Sequence, residues 1–332
     1  MKRPNISIAI AVHNEQEVLP ELFSRVLAVL SQIPGGPHEL IFVDDGSTDG
    51  TLGILREAAD RDARICVVSL SRNFGHQAAL TAALDYVNGD AVALMDGDLQ
   101  DAPEHIFEFL QKFEEGYDVV YATRASRKEP LWLKFCYRAF YRIQNALSDT
   151  RLPLDAGDFG LMSGRVVREL RRLPERQRYL RGLRSWVGYR QIGIPIHRDE
   201  RHSGTSKYSV ARLIRLASDG IFAFSTLPLR VASLAGAIAI VASLMYGIAS
   251  VIGKFVYHRV PQGFTALVLL MTFLVGVVLF SLGIVGEYVG RIYEEVKGRP
   301  MYVVDHVYGF AQTSAGEVAR TARERAPGEI SK

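Results

Sequence analysis

Short apolar runs alternate with helical patterns through the first third of the chain. Ile6–Val12, Leu40–Val43, Ile65–Ser69, Ala91–Met95 and Val119–Ala122 are apolar at nearly every position, as strands covered on both faces are. Glu17–Ser31, Thr48–Asp60, Gln77–Val87 and Pro103–Glu115 carry apolar residues at helical spacing between them. The alternation predicts an α/β domain with a mostly parallel sheet and helices on both faces. Ligands of such sheets sit beyond the carboxyl ends of the strands. Polar clusters fall there: His13-Asn14-Glu15 after the first strand, Asp44-Asp45-Gly46-Ser47 after the second, Asp96-Gly97-Asp98 after the fourth.

The pattern then changes three times. Arg124–Arg142 is basic, with aromatic residues interleaved, and Leu152–Gly160 reads as a loop carrying Asp155 and Asp158. An arginine-dense region, Arg165–Arg201, follows. Ser209–Phe224 places Val210, Leu213, Ile214, Ala217, Ile221 and Phe224 on one helical stripe, which suits a helix lying in a membrane interface. Val231–Ile252 and Phe264–Gly286 are 22 and 23 residues without a charge. At about 1.5 Å rise per residue each reaches roughly 30 Å, the thickness of a bilayer core. Two such runs joined by a short loop predict a transmembrane hairpin.

These changes divide the chain into a catalytic domain (1–208), an interface helix (209–225), a hairpin (226–290) and a tail (291–332). Lys207, Arg212, Arg215 and Arg230 precede the hairpin and Arg291, Lys297 and Arg299 follow it, against Lys254 and Arg259 in its loop. The positive-inside rule therefore expects a multi-pass protein of the inner (plasma) membrane, with domain and tail in the cytoplasm. The apolar run at Ile6–Val12 is too short for a signal segment and reads as the first strand.

Composition adds little beyond exclusions. A net charge of +3 gives no argument for nucleic acid. Cys66 and Cys136 have no metal-ligand spacing and form no disulfide framework, which fits a reducing compartment. No GxGxxG follows the first strand and no GxxxxGK[ST] occurs, which disfavours dinucleotide oxidoreductases and P-loop NTPases.

The chemistry centres on Asp96-Gly97-Asp98. Two carboxylates at a strand end, with Gln100 two residues on, suit a hard cation such as Mg²⁺ or Mn²⁺, which takes one or two carboxylates plus phosphate oxygens. Asp44 and Asp45 exceed what a helix cap needs, and one of them is placed to accept hydrogen bonds from a ribose or base; Ser47 or Thr48 suits the cap itself. Arg201-His202-Ser203-Gly204-Thr205-Ser206-Lys207 is a basic loop suited either to phosphate oxygens or to lipid headgroups.

Ala11-Val12-His13-Asn14-Glu15, Val43-Asp44-Asp45-Gly46-Ser47, Asp96-Gly97-Asp98-Leu99-Gln100-Asp101 and the Arg201–Lys207 loop resemble, in this order, the inverting family 2 glycosyltransferases of the GT-A fold. The likeness is to their polyprenyl-phosphate branch, which includes dolichyl-phosphate mannose synthases and bactoprenol glucosyltransferases. Gly286–Lys297 resembles the bacterial subgroup. The resemblance implies that Ala11, His13, Glu15, Val43 and Asp45 hold the nucleotide. It places the metal and diphosphate at Asp96, Asp98 and Gln100, the donor near Arg124, and the diphosphate on Arg201 and Lys207. It sets a catalytic aspartate at Asp158, with Asp155 as the alternative.

The activity so implied is transfer from a nucleotide-sugar, UDP-glucose first, to undecaprenyl or another polyprenyl phosphate with inversion. Lys134, Arg138 and Arg142 would hold the acceptor phosphate, or else rest on anionic lipid. Gly276, Gly283, Gly286 and Gly290 would suit helix association and a homo-oligomer. A processive polysaccharide synthase and a non-enzymatic lipid-binding scaffold are the rival readings; the first lacks its QxxRW motif in Gln177–Trp186.

Overall fold

A computed structural model describes residues 4–124, 156–176, 178–196, 227–257 and 263–310. The catalytic unit is built on an eight-stranded sheet: β1 (Ile6–Val12), β2 (Glu39–Asp44), β3 (Ile65–Leu70), β4 (Ala91–Asp96), β5 (Val119–Arg124), β6 (Ala156–Ser163), β7 (Gln191–Ile196) and β8 (Val304–Tyr308). Their spatial order is β7-β5-β6-β4-β1-β2-β3-β8. β6 runs antiparallel to β4 and β5, and β8 antiparallel to β3; the other pairings are parallel. This mixed α/β sheet is the GT-A arrangement.

The central strands form because nothing polar interrupts them. β1 is buried throughout, and β3 likewise. Ile6, Ile8, Ile10 and Val12 alternate onto one face of β1 and join Leu40, Phe42, Val67, Ala93 and Met95 in a single core. Helix α1 (Leu19–Gln32) covers it with Leu19, Leu22, Val26, Val29 and Leu30, the i, i+3, i+4 stripe of an amphipathic helix. α2 (Thr51–Arg61) adds Leu55 and Ala59. α4 (Ile106–Glu114), entered through the turn Pro103–His105, adds Ile106 and Phe109. The Phe109 ring meets Phe159 of β6 at 4.9 Å between centroids. α3 (His76–Tyr86) contacts β1 and β2 and is buried almost all round, which its run of Ala78, Ala79, Ala82 and Ala83 permits.

Three strands depart from the sequence-based expectation. The segment read as a loop with Asp158 is β6 from Ala156 onward. Gly157, Asp158 and Gly160 dilute its apolar pattern, so only pairing with β4 and β5 reveals the strand. The arginine-dense region contains α5 (Gly164–Arg172), capped by Ser163, then α6 (Leu180–Trp186) and β7. The segment read as the start of a tail returns as β8 on the edge of β3, fastened by Ser71 N–H to Val303 O (2.9 Å) and Tyr302 O–H to Asp85 (2.8 Å). The strand is short and carries exposed charged positions at Asp305 and His306, as edge strands do. Thr48 and Ser47 do not cap α2, whose N-cap is Gly50; both instead pair with Asn14.

The second unit is a helical hairpin, α7 (Leu227–Tyr257) and α8 (Phe264–Val296). Both helices are longer than the uncharged runs inside them. Their apolar side chains are largely exposed, Leu234, Val241, Leu244, Phe273, Leu279 and Phe280 among them. Such exposure excludes a soluble-core reading and fits helices whose solvent is lipid. The interface helix expected at 209–225 lies outside the described residues.

Candidate active site

Strand register assembles the site. In β1, Ala11 pairs with Val43 of β2 on one side and with Asp96 of β4 on the other. β4 in turn pairs antiparallel with β6, from Ala91 opposite Ser163 to Leu94 opposite Gly160, which leaves Asp96 and Asp158 two residues beyond the last pair, on the same side of the sheet. One row across the carboxyl ends of β2, β1 and β4 thus carries Val43, Ala11 and Asp96, and the amino end of the antiparallel β6 brings Asp158 to the same edge. The row closes tightly at Gly97, where a Cβ would stand 2.5 Å from Val12 Cγ1 and 3.2 Å from Ala11 O. Gly97 is required by that close approach of β1 and β4.

The loops after β1 and β2 are laced together. Asp45 N–H donates to Val12 O (2.9 Å), Asn14 N–H to Ser47 Oγ (2.9 Å), and Thr48 N–H to Asn14 Oδ1 (2.8 Å). Asn14 is held at φ 57°, a left-handed conformation that asparagine tolerates better than most residues. His13 is exposed, with Nδ1 2.9 Å from Asp45 O, and Glu15 is half-buried.

Asp44 and Asp45 are both buried. Burial raises the Asp44 carboxyl above its ordinary value, while Ser47 N–H partly offsets this. Asp45 is a clamp: Oδ1 accepts Phe74 N–H (2.7 Å) and Oδ2 accepts Gly75 N–H (2.9 Å). Its carboxylate thereby fixes the loop that leads into α3, beside which Arg72 lies over the Phe74 ring at 4.0 Å.

That loop delivers His76, a residue the sequence reading passed over. His76 Nε2 is 3.2 Å from Asp96 Oδ1 and 3.6 Å from Asp158 Oδ2, so it stands between the two carboxylates. Burial works against its charged form, but hydrogen bonding to Asp158 and the charges of Asp96 and Asp158 raise its pKa overall. The side chain remains 43% exposed, so solvent screens part of this effect.

Asp158 is held from its other side by α6. Arg181 Nε donates to Oδ1 (2.8 Å) and Nη2 to Oδ2 (2.7 Å), a bidentate pair. Burial disfavours the Asp158 carboxylate, yet Arg181 and His76 together hold it well below the usual range. Arg184, one turn further, is buried too; it lies over Tyr121 at 4.8 Å and donates to Gly157 O (3.3 Å), and burial pushes its pKa down to about 10. Arg181 and Arg184 were legible only as members of an arginine-dense stretch.

Asp98 and Gln100 stand close together, Gln100 N–H donating to Asp98 Oδ1 (3.2 Å). Among the described residues no group of three or more His, Cys, Asp or Glu side chains forms a cation cage. Asp96 and Asp98 are nonetheless two carboxylates at one strand end, the donor set of a hard cation whose remaining ligands are phosphate oxygens. The residues fit such a cation. Arg124 ends β5, in register with Ile196. Asp155, Lys134, Arg138, Arg142, Arg201 and Lys207 lie outside the described residues.

Known proteins give this arrangement a class. Residues 7–171 match the model of glycosyl transferase family 2, and residues 227–292 match the GtrB C-terminal hairpin. These matches, with the two apolar helices, make the chain a membrane-associated glycosyltransferase. The chain is 42% identical over 304 residues to the uncharacterized glycosyltransferase YkcC of Bacillus subtilis, covering 91% of this chain and 94% of that one. It is 38% identical over 300 residues to the SfII prophage-derived bactoprenol glucosyl transferase of Shigella flexneri, covering 90% and 97%. A further uncharacterized glycosyltransferase, from Synechocystis, is 43% identical over 305 residues, covering 92% and 96%. The chain belongs to glycosyl transferase family 2.

Proposed function

We propose that this chain transfers glucose from UDP-glucose to undecaprenyl phosphate, or a related polyprenyl phosphate, inverting the anomeric centre to give a β-linked product. The observation that carries this reading is the joint presence of the Asp96–Asp158 site and an exposed apolar hairpin, in a chain that aligns with a bactoprenol glucosyl transferase over nearly its whole length. A water-soluble acceptor gives no reason for two membrane-length helices; a polyprenyl chain does.

His13, Glu15 and the loop fixed by Asp45 receive the nucleotide, beside the small Ala11 and the backbone at Val43. Asp96 and Asp98, with Gln100 nearby, would hold Mg²⁺ or Mn²⁺. When bound, that ion neutralises charge developing on the departing diphosphate. Arg201 and Lys207 serve the same oxygens, Arg124 lies on the donor side, and Lys134, Arg138 and Arg142 hold the acceptor phosphate. That phosphate is a monoester with a second pKa near about 6, so it is already mostly dianionic at neutral pH and needs little help from a base. Asp158, already paired to Arg181, is accordingly an orienting anion more than a proton acceptor, and Asp155 is the alternative for that role. The positive-inside pattern supports a reaction at the cytoplasmic face of the inner membrane.

The test is a panel of nucleotide-sugars offered with undecaprenyl phosphate to the full chain in detergent. UDP-glucose should give the fastest turnover, excess EDTA should abolish it, and NMR should show a β-linked sugar. An α-linked product would rule out single displacement, and full activity in EDTA would remove the metal.

A further inference from the structure

The carboxylate that faces the reaction is not held by its own strand. β6 supplies Asp158, but its direction is set from α6, where the Arg181 fork takes both carboxylate oxygens at 2.8 and 2.7 Å. Asp158 is 6% exposed, whereas the Arg181 side chain remains 36% exposed. α6 is itself tied to α3, because Leu180 N–H donates to Gln77 Oε1 (3.0 Å), the residue next to His76. Asp158 therefore has Arg181 on one side and His76 on the other, and both neighbours hang from helices that share a hydrogen bond.

Arg184 supplies a contrast within the same helix. It is more deeply buried than Arg181 and feels the charge of Asp158, yet its recorded hydrogen bond goes to Gly157 O and its guanidinium lies over Tyr121 rather than forking the carboxylate. Burial of an arginine on this helix does not by itself put it on Asp158; the geometry of Arg181 does.

We propose that Arg181 is a positioning residue for the transfer reaction, acting through Asp158 by fixing that carboxylate in one orientation towards His76 and Asp96. The inference rests on the reading of Asp158 as a working residue of a sugar-transfer site. A bidentate guanidinium–carboxylate pair sets direction as well as distance, which a single point charge does not. A misplacement of about 1 Å at such a group costs on the order of 100-fold in rate. Arg181 would thus influence turnover without touching the donor or the acceptor.

A double-mutant cycle tests this, with D158N, R181Q and the doubly substituted chain assayed as full-length protein in detergent for sugar transfer to undecaprenyl phosphate. If Arg181 acts only through Asp158, the double substitution lowers kcat no further than D158N alone, and R181Q lowers kcat while leaving KM for the nucleotide-sugar within about twofold. R181K, which keeps charge but loses the fork, should recover only part of the loss. R181Q leaves a buried carboxylate without its fork and could fail to fold; the comparison of D158N with the double variant does not need it. Multiplicative losses in the cycle would overturn the inference by showing that Arg181 acts independently of Asp158, and a KM that rises with kcat unchanged would overturn it in favour of a role in donor binding. In that outcome the sugar-transfer reading stands. An inactive wild type removes that reading and the inference with it.

Discussion

His76 Nε2 stands 3.2 Å from Asp96 Oδ1. The imidazole also faces Asp158 at 3.6 Å, so one side chain from α3 ties the end of β4 to the start of β6. Replacing His76 with alanine should leave the fold almost unchanged, because the side chain is 43% exposed and its ion pairs are screened. Turnover should fall by about tenfold or more, since two carboxylates lose the group between them. Thermal unfolding and steady-state kinetics on the same preparation check both halves; a large loss of stability would make His76 a structural residue instead.

Asp45 predicts a different signature. Its two oxygens satisfy the backbone N–H groups of Phe74 and Gly75, and nothing on an alanine could replace them. Asp45→Ala should destabilise by about 1–3 kcal/mol, the cost of leaving two half-buried donors without these partners. The loop it releases leads to His76, so KM for the nucleotide-sugar should rise and kcat should fall. Asp45→Asn keeps one acceptor and should be intermediate in both.

Two glycines separate packing from flexibility. At Gly97 a Cβ would lie 2.5 Å from Val12 Cγ1, so Gly97→Ala should push β1 from β4, cost about 1–3 kcal/mol and reduce activity. Gly53, inside α2, has nothing within 4 Å of its would-be Cβ. Gly53→Ala should therefore stabilise by up to about 1 kcal/mol through helix propensity and leave turnover alone. Melting temperatures of the two variants should move in opposite directions.

The pH dependence of stability follows from Asp158. Its pKa in the folded chain is depressed: burial opposes this, and Arg181 and His76 outweigh burial. A depressed carboxyl contributes stability that is fully present above its unfolded value, near 3.8, and is lost as pH falls through the folded value. Wild type should accordingly lose stability faster than D158N below about pH 4. Parallel acid-unfolding curves for the two would show that the pair with Arg181 does not hold the charge.

Much of the fold was legible because the first four strands are apolar at nearly every position, and because the polar residues gather at their carboxyl ends. Asp96, Asp98 and the two uncharged spans could be read from position and composition alone. β6 could not, since Gly157, Asp158 and Gly160 break its pattern and only its register with β4 makes it a strand. β8 escaped for another reason: a charged five-residue edge strand beyond a membrane hairpin has no local mark, and only its pairing with β3 gives it a place. The partners of Asp158 were hidden because contact between residues 76, 158 and 181 depends on how α3 and α6 pack, which periodicity does not encode. The loop Ser71-Arg72-Asn73-Phe74-Gly75-His76, polar and glycine-containing at a strand's end, was the one signal that would have led to His76.

The most direct measurement is transfer of labelled glucose from UDP-glucose into the organic-solvent-extractable lipid, with undecaprenyl phosphate and Mg²⁺ or Mn²⁺ present, by the full chain and by Asp98→Ala. The account predicts label in a single lipid-linked monosaccharide from the wild type and none from the variant, with the two proteins melting at similar temperatures. No transfer by the wild type from any nucleotide-sugar, or label found in a growing polymer, would contradict it.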